Sequence, residues 1–166
     1  MLRPKCYVES PLGFEPARQA ELEKILDQLR PVVEPINPFF IANEEFIPKI
    51  MKASGEERQR LWCSMAVRLY RVIRDEADMG FAFLNGDPPD FGVGCELGYG
   101  FALHDIGYKK FPIIAYRQDY RRSGETDNNL NSMALPPYLK TGGCFIDSFE
   151  AIQPAVKRIA AVLAAK

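Results

Sequence analysis

The sequence predicts an α/β fold: an open five-stranded parallel sheet with helices on both faces, of the flavodoxin-like or Rossmann-like type. Three observations support this prediction. Short apolar runs alternate with segments of helical periodicity along all 166 residues. Two of these runs, residues 79–84 and 111–116, are continuously apolar, which is typical of parallel strands covered on both faces. No linker or internal repeat interrupts the alternation, so we expect one domain over residues 1–166.

The N-terminal part of the chain is predicted to form two strands with a helix between them. Residues 5–9 are an apolar run that ends at a loop with proline and glycine. In residues 15–29 the apolar positions recur at helical spacing, with acids early and Arg30 at the end, as the helix dipole favours. Residues 32–36, which include two valines, an isoleucine and a proline, give a short second strand.

The region between the second and third strands is predicted to be mostly helical. Residues 37–43 are expected to be irregular, and their two phenylalanines could line a pocket or simply pack under a loop. Residues 44–53 predict a short helix broken at Pro48. Residues 55–77 predict a longer helix, whose five arginines lie around several faces and therefore indicate a solvated surface rather than a phosphate site.

The helix predicted between the third and fourth strands carries the most unusual residue of the chain. Residues 91–103 are apolar on nearly every side, which is typical of a buried helix. Glu96 is the acidic residue of this segment, on the same row as Gly92 and Gly100. A carboxylate is rarely fully buried unless it is paired, so Glu96 is a candidate for a functional site.

The C-terminal part is predicted to contain a long loop, a strand and a helix. Residues 117–137 form a polar loop, and loops of this length in compact domains are usually functional or disordered. Residues 143–147 give the fifth strand. Ser148 is expected to cap a final amphipathic helix with Glu150 in its first turn.

Composition and charge limit the possible functions. The formal net charge is -1, so no basic surface argues for a nucleic acid polymer or a membrane as partner. The single histidine, His104, excludes a histidine-rich metal site, and the four cysteines form no Cys-x-x-Cys pair, so we expect no metal. We also expect no membrane span, because no run of about 20 apolar residues is present. Reduced thiols fit a cytoplasmic location.

Three segments should converge where the strands end. The carboxyl ends of parallel strands meet at one edge of a sheet, and ligands bind there. The residues that these segments would bring together are Tyr7, Ser10, Phe14, Asp90, Glu96, Asp119, Tyr120 and Arg121. A phosphate-binding Gly-x-x-x-x-Gly-Lys-Ser/Thr is absent, and no Gly-x-Gly-x-x-Gly follows the first strand, so the pattern does not favour dinucleotide binding.

Two carboxylates in a partly apolar crevice suit glycosyl chemistry. One carboxylate attacks the anomeric carbon, and an acceptor then resolves the covalent intermediate. Glu96 is the candidate nucleophile, since the helix N-terminus favours its ionised form while burial favours its neutral form. A structural role is equally compatible with the residues, because Glu96 could cap a neighbouring loop or pair with an arginine.

A set of spaced residues carries a resemblance to a known family. The pattern Asp-x-Gly-x-x-x-Glu-x-Gly-x-x-x-Ala is met by Asp90, Gly92, Glu96, Gly98 and Ala102. Further matches, in the same order as in the family, are Tyr7, Ser10, Pro11, Phe14, Ala77, Asp78, Asp119 and Arg121. In these residues and their spacing the chain resembles the nucleoside 2-deoxyribosyltransferases.

The resemblance implies roles for these residues. Glu96 would attack C1′ of a 2-deoxyribose and release the base, Asp90 would hold the sugar hydroxyls or the nucleophile, and Tyr7 would orient Glu96. The substrate-binding residues would include Ser10, Phe14, Gly92, Asp119 and Arg121. The partners would be deoxynucleosides and free nucleobases, with no metal or organic cofactor. Assembly would be a homo-oligomer, a dimer or a hexamer, in which a neighbour's asparagine completes the sugar site.

The chain departs from the family pattern at three places. Many members carry a base-contacting Asp eight residues before the Ala-Asp aspartate; this position is Tyr70 here, and Asp75 could take over its role. Candidates for the neighbour-supplied residue are Asn129, Asn131 and, in another alignment, Tyr138. Glu9 stands where small residues are common in the family.

Two other functions stay open at this point. The first is an N-glycoside hydrolase of nucleosides or their monophosphates, which for monophosphates needs a phosphate pocket near the first loop; Ser10 and Gly13 give a hint of one. The second is a nucleoside-binding module without turnover.

Overall fold

The computed structural model describes residues 3–14, 16–86, 89–118 and 132–165, and its centre is a five-stranded, fully parallel sheet. The strands are β1 (Lys5–Glu9), β2 (Glu34–Ile36), β3 (Met79–Phe83), β4 (Ile113–Tyr116) and β5 (Cys144–Ile146). Their order across the sheet is β2-β1-β3-β4-β5, and each neighbouring pair is parallel. The predicted fold class is therefore confirmed, with its strand order reversing between β1 and β3.

Helical segments connect the strands. The α-helices are α1 (Gln19–Leu29), α2 (Pro38–Ile41), α3 (Ile47–Ile50), α4 (Gly55–Arg71), α5 (Phe91–Asp105), α6 (Leu135–Lys140) and α7 (Ile152–Ala164). Short 3-10 turns occupy Leu12–Phe14, Pro16–Arg18 and Ser132–Ala134, and π-helical segments occupy Ala42–Phe46 and Val72–Glu76. Among the described residues, no helix combines the length and the apolar character needed to cross a bilayer.

Two apolar clusters cover the two faces of the sheet. Along β1, successive side chains point to opposite faces. Cys6 and Val8 join the cluster formed with α1 and α7, whereas Tyr7 joins the cluster formed with α5 and α6. Each large aliphatic or aromatic side chain buried in this way stabilises the fold by roughly 1.5–3 kcal/mol. The face that carries Tyr7 is the one on which the site is built.

The irregular segment predicted for residues 37–43 is wrong, because a helix begins there at Pro38. The Asn37 carboxamide accepts a hydrogen bond from the Phe39 amide at 3.0 Å, and proline is favourable in the first turn of a helix. Pro48 does not end the helical run either. It lies in the first turn of α3, directly after the π-helical segment, which is where a missing amide donor is accommodated.

The final helix begins later than predicted. It starts at Ile152, and Ser148 does not cap it with its side chain. The Ser148 carbonyl instead accepts the Ala151 amide at 3.3 Å in a turn that precedes the helix. Glu150 therefore lies in this turn rather than in the first turn of α7.

The helix α5 is only partly buried, contrary to the prediction from its apolar residues. Its buried residues are Val93, Leu97, Gly100 and Leu103. The row of Gly94, Gly98 and Ala102 is exposed, and Phe91 is 86% exposed. Small residues add little apolar surface, so this row can face outward while the opposite side of α5 packs on the sheet.

Candidate active site

Of the side chains predicted to act together, Tyr7, Asp90 and Glu96 meet near the carboxyl ends of β1 and β3, where the strand order reverses. In open α/β sheets this is the place where ligands bind. Tyr7 lies on β1, opposite Gly80 of β3 in the register, and Glu96 lies on α5, which follows β3. The Tyr7 hydroxyl donates a hydrogen bond to Glu96 Oε1 at 2.7 Å. Because the Tyr7 side chain is fully buried, this contact holds the Glu96 carboxylate in one orientation.

The surroundings of Glu96 leave its carboxyl group about half ionised at neutral pH. Burial raises its pKa to about 7, the hydrogen bond from Tyr7 acts in the opposite direction, and the charge of Asp90 adds to the rise. Glu96 lies in the second turn of α5, where the helix dipole is weak. Tyr7, rather than the helix N-terminus, is therefore the group that favours the ionised form.

A purely structural role for Glu96 is not supported by its contacts. In the part of the chain that the structure describes, no ion pair links Glu96 to an arginine. Its carboxylate instead faces a cavity that Asp90 also lines. A partly buried carboxylate with a raised pKa, aimed into a cavity, is the arrangement expected of a reactive group.

Asp90 caps the helix that carries Glu96. Its Oδ1 accepts the Val93 amide at 3.0 Å, which makes Asp90 the N-cap of α5. A Cβ placed on Gly92 would lie 3.0 Å from Asp90 Oδ1, so the glycine leaves room for this cap. Asp90 thus fixes the start of α5 and at the same time lines the cavity.

The loop that presents Asp90 is tied to the end of β4. Arg117 is 2% exposed, and its Nη1 donates to the carbonyls of Leu84 at 2.8 Å and Gly86 at 3.2 Å. The Gln118 amide donates to Asn85 Oδ1 at 2.6 Å. The sequence interpretation missed Arg117; its signal was a charged residue directly after a buried strand.

The first loop forms one wall of the cavity. Ser10 is 6% exposed, and its Oγ accepts the Leu12 amide at 3.2 Å, so part of its hydrogen-bonding capacity is used within the loop. The Phe14 ring is 71% exposed and packs edge-on against Phe39 at 4.8 Å between centroids. A Cβ on Gly13 would lie 2.2 Å from the Phe39 ring, which explains why glycine occupies this position.

The cavity has a volume of about 290 Å³ and is mostly apolar. The charged side chains that line it are the carboxylates of Asp90 and Glu96. The apolar side chains that line it include Phe14, Phe39, Ile47, Trp62, Met65 and Leu69. The uncharged polar side chains are Ser10 and Asn43. Sequence reasoning missed Asn43, Trp62, Met65 and Leu69, because helical spacing does not reveal which face of a helix borders a cavity.

Several predicted residues are not brought to this cavity. Tyr70 is not among the lining residues; its ring packs on Tyr99 at 4.8 Å between centroids, so a contact with a base stays a prediction. Asp75 pairs with Arg74 and lines a different surface. Tyr138 is 1% exposed, which argues against its reaching a neighbouring subunit's site. The predicted residues that lie outside the described part of the chain are Asp119, Tyr120, Arg121, Asn129 and Asn131.

No metal site comes together in the parts of the chain that the structure describes. Within residues 3–14, 16–86, 89–118 and 132–165, no group of three or more His, Cys, Asp or Glu side chains could hold a metal ion. The four cysteines are unpaired, and Cys6 is fully buried in the core. The chemistry available at the described site is therefore that of carboxylates, a phenol and an apolar cavity.

A doubly wound parallel sheet that presents a tyrosine-bound glutamate to an apolar cavity defines an α/β protein with a small-molecule site. The family follows from the sequence: the chain belongs to the nucleoside 2-deoxyribosyltransferases, whose family model matches residues 6–153. This confirms the resemblance on which the residue roles were based. The family comprises transferases that act on nucleosides and free bases.

Solved structures show the same fold. A conserved protein from Enterococcus faecalis V583 matches with a TM-score of 0.63 and 19% sequence identity, over 95% of this chain and 99% of that chain. A 2-deoxyribosyltransferase from the psychrotolerant bacterium Bacillus psychrosaccharolyticus matches with a TM-score of 0.55 and 20% identity, over 90% of each chain. No curated protein matched the chain.

Proposed function

We propose that this protein exchanges purine or pyrimidine bases on 2-deoxyribose through a covalent glycosyl intermediate on Glu96. The observation that carries the proposal is the 2.7 Å hydrogen bond from the buried Tyr7 hydroxyl to a Glu96 carboxylate that faces an apolar cavity. A nucleophile in such a cavity is oriented and poorly hydrated, and both conditions favour attack on a sugar carbon.

The reaction follows from two displacements at the same carbon. A Glu96 carboxylate oxygen attacks C1′, the N-glycosidic bond breaks, and the leaving base takes the bonding electron pair and a proton from solvent. A second base then attacks C1′ through a ring nitrogen. The ester bond breaks, Glu96 regains its negative charge, and the incoming base releases a proton to solvent. Tyr7 donates to Glu96 in the free enzyme and stabilises the carboxylate when it leaves.

Asp90 is proposed to hold the deoxyribose. One of its carboxylate oxygens caps α5, and its side chain lines the cavity next to Glu96. Because the cap fixes the Asp90 side chain, its other oxygen can accept a hydrogen bond from a sugar hydroxyl without further ordering. Ser10 and Gly92 line the same cavity and are proposed to contact the sugar.

The base is proposed to bind between aromatic and aliphatic side chains. Trp62 and Phe39 offer faces for stacking, and the Asn43 carboxamide can both donate and accept hydrogen bonds. Apart from Asp90 and Glu96, no charged side chain among the described residues lines the cavity. Stacking with one adaptable amide discriminates weakly between ring systems, so we propose that both purines and pyrimidines are accepted.

A neutral nucleoside fits the cavity better than a nucleoside monophosphate. Among the described residues that line it, none is a lysine or an arginine, and the carboxylates of Asp90 and Glu96 repel a phosphate. The Leu12 amide is already bonded to Ser10, so it is not free for a phosphate oxygen. Arg121, proposed as substrate-binding, lies outside the described residues.

Assembly and location are proposed from the family resemblance and the composition. We propose a homo-oligomer, a dimer or a hexamer, in which Asn129 of a neighbour completes the sugar site. The cytoplasmic location stays a prediction from the four unpaired cysteines.

The test is base exchange by the protein of 166 residues. Incubation with deoxyinosine and adenine should yield deoxyadenosine and hypoxanthine, and Glu96→Gln should lower the rate by at least about 10³-fold because the nucleophile is lost. Glu57→Gln, on an exposed face of α4, is the matched control and should leave the rate unchanged. Hypoxanthine released without adenine would point to a hydrolase, and binding without any product would point to a nucleoside-binding module.

A further inference from the structure

A second buried carboxyl group lies next to the Tyr7–Glu96 pair, and the proposed reaction does not use it. Glu9 ends β1 and is 0% exposed. Neither of its carboxyl oxygens has a hydrogen-bond partner in the part of the chain that the structure describes. An unpaired buried carboxylate is very costly, so a group in this setting remains neutral unless another interaction compensates for its charge.

The position of Glu9 is set by the sheet. It is two residues after Tyr7, so both side chains point to the same face of β1. A Cβ placed on Gly80 would lie 3.1 Å from Glu9 Oε1 and 3.1 Å from the Phe111 ring. Gly80 therefore leaves the space in which the Glu9 carboxyl and the Phe111 ring both pack. A Cβ on Gly100 would lie 2.7 Å from the same ring, so α5 closes this space from above the sheet.

The charges around Glu9 favour its neutral form. Burial raises its pKa well above the usual range, and the negative charge of Glu96 raises it further. Glu9 in turn raises the pKa of Tyr7 and of the Cys6 thiol, so the groups are electrostatically coupled along β1. The Tyr70 hydroxyl, from α4, also acts on the pKa of Tyr7.

The basic side chains on the Phe111 side, Lys109 and His104, have other partners. The Lys109 ammonium lies 5.0 Å from the Phe111 ring centroid and donates to the carbonyls of Ile73 and Arg74 at 2.9 and 3.1 Å. The His104 Nδ1 accepts the Phe111 amide at 3.3 Å. Neither group bonds to Glu9 among the described contacts, and β3 contributes only glycine and alanine at the positions beside it.

We propose that Glu9 is a positioning residue for the nucleophile: a neutral carboxylic acid behind the Tyr7–Glu96 pair that leaves the single negative charge of this buried cluster on Glu96. The two carboxyls then lose their protons in two steps, and the pKa of each step is a property of the pair and not of either residue alone. The first step forms the reactive state with Glu96 ionised. The second step places two negative charges in one buried space. Their repulsion separates Glu96 from Tyr7 or draws water into the space. The reaction therefore slows at the alkaline pH at which this second step occurs.

A buried Glu9 that stays neutral makes the free energy of unfolding depend on pH. A carboxyl whose pKa is raised on folding keeps a proton that the unfolded chain loses above about pH 4.3. The bound proton contributes to the free energy of unfolding. This contribution is fully present below that pH and is lost as the pH rises toward the folded-state pKa. In that range each pH unit should change the ratio of unfolding constants between the wild type and Glu9→Gln by about tenfold.

Two measurements on the whole protein test the proposal, with Glu34→Gln, an exposed residue on the neighbouring strand β2, as the matched control. The first is a carboxyl ¹³C NMR titration of glutamate-labelled protein, in which Glu9→Gln identifies the Glu9 resonance. We expect this resonance to titrate well above the exposed glutamates, and a midpoint near theirs would overturn the proposal. This measurement needs no turnover, so it decides about Glu9 even if the proposed function is wrong.

The second measurement is the pH profile of kcat/KM and rests on the proposed function. The wild type and Glu34→Gln should decline at alkaline pH, and Glu9→Gln, which cannot ionise, should lose or shift that decline by at least one pH unit. Glu9→Met, which has similar volume and no polar atoms, should behave in the same way. A purely structural role predicts superimposable profiles for all four proteins, and that result would also overturn the proposal.

Discussion

Tyr7→Phe should lower the activity at neutral pH, because the Tyr7 hydroxyl favours the ionised form of Glu96. Tyr7→Phe removes the hydroxyl that lies 2.7 Å from Glu96 Oε1 and leaves the ring in place. A hydrogen bond to a charged group contributes about 1.5–3 kcal/mol, which at about 1.36 kcal/mol per pKa unit corresponds to about 1–2 units. The pKa of Glu96, now about 7, should therefore rise to roughly 8–9.

The activity should follow the ionised fraction of Glu96. At pH 7 that fraction would fall from about one half to between roughly one tenth and one hundredth, so kcat/KM should drop by roughly 5–50-fold. The loss should shrink as the pH rises, because the nucleophile is still present and only its ionisation has moved. A catalytic hydroxyl that acts on the sugar or the base would instead give a loss that does not depend on pH.

The assay is base exchange followed by chromatography between pH 5.5 and pH 9.5. Tyr108→Phe is the matched control, since it makes the same chemical change on a tyrosine that is 57% exposed. Thermal unfolding of both variants checks that the fold is retained. If the acid limb of the Tyr7→Phe profile coincides with that of the wild type, the stated role of Tyr7 is refuted.

Three further variants test other parts of the site. Asp90→Ala removes the cap of α5 and should lower the free energy of unfolding by about 1 kcal/mol in chemical denaturation, together with a lower rate of exchange; unchanged stability would contradict the capping role. Trp62→Ala should raise KM more than it lowers kcat, because stacking serves ground-state binding; equal losses in kcat and kcat/KM would point to the transition state instead. Gly100→Ala places a Cβ 2.7 Å from the Phe111 ring and should cost roughly 1–3 kcal/mol of stability by denaturation, and a neutral effect would show that the ring can move.

The sheet could be predicted from the sequence because its strands leave a strong local signal. A strand covered on both faces must be apolar at successive positions, and Met79–Phe83 and Ile113–Tyr116 show this directly. The segment after β2 could not be predicted by the same reasoning. A proline is compatible with irregular chain and with a helix start, and at Pro38 the preceding Asn37 provides the cap with which a helix begins.

The proximity of the proposed reacting groups could be predicted from the sequence, whereas the side chains that line the cavity could not. Glu96, Tyr7 and Asp90 stand at spacings that a pattern can capture, and the structure brings these three residues to one place. Trp62 and Asn43 line the cavity because of the orientation of their helical segments about the helix axes. That orientation depends on packing between elements that are far apart in the chain. No local period contains that information.

The two carboxyls, Glu96 and Glu9, differ in their partners and in their access to the cavity. Glu96 has one strong partner, Tyr7, and borders the cavity, so in the proposed reaction a substrate takes up its charge. Glu9 has neither partner nor access among the described residues, so neutrality is the state that the surrounding apolar groups permit. Burial raises the pKa of both carboxyls, but only at Glu96 does a hydrogen bond act in the opposite direction. The Tyr7 hydroxyl therefore favours Glu96 over Glu9 as the first of the two carboxyls to ionise, which is the state that the proposed nucleophile needs.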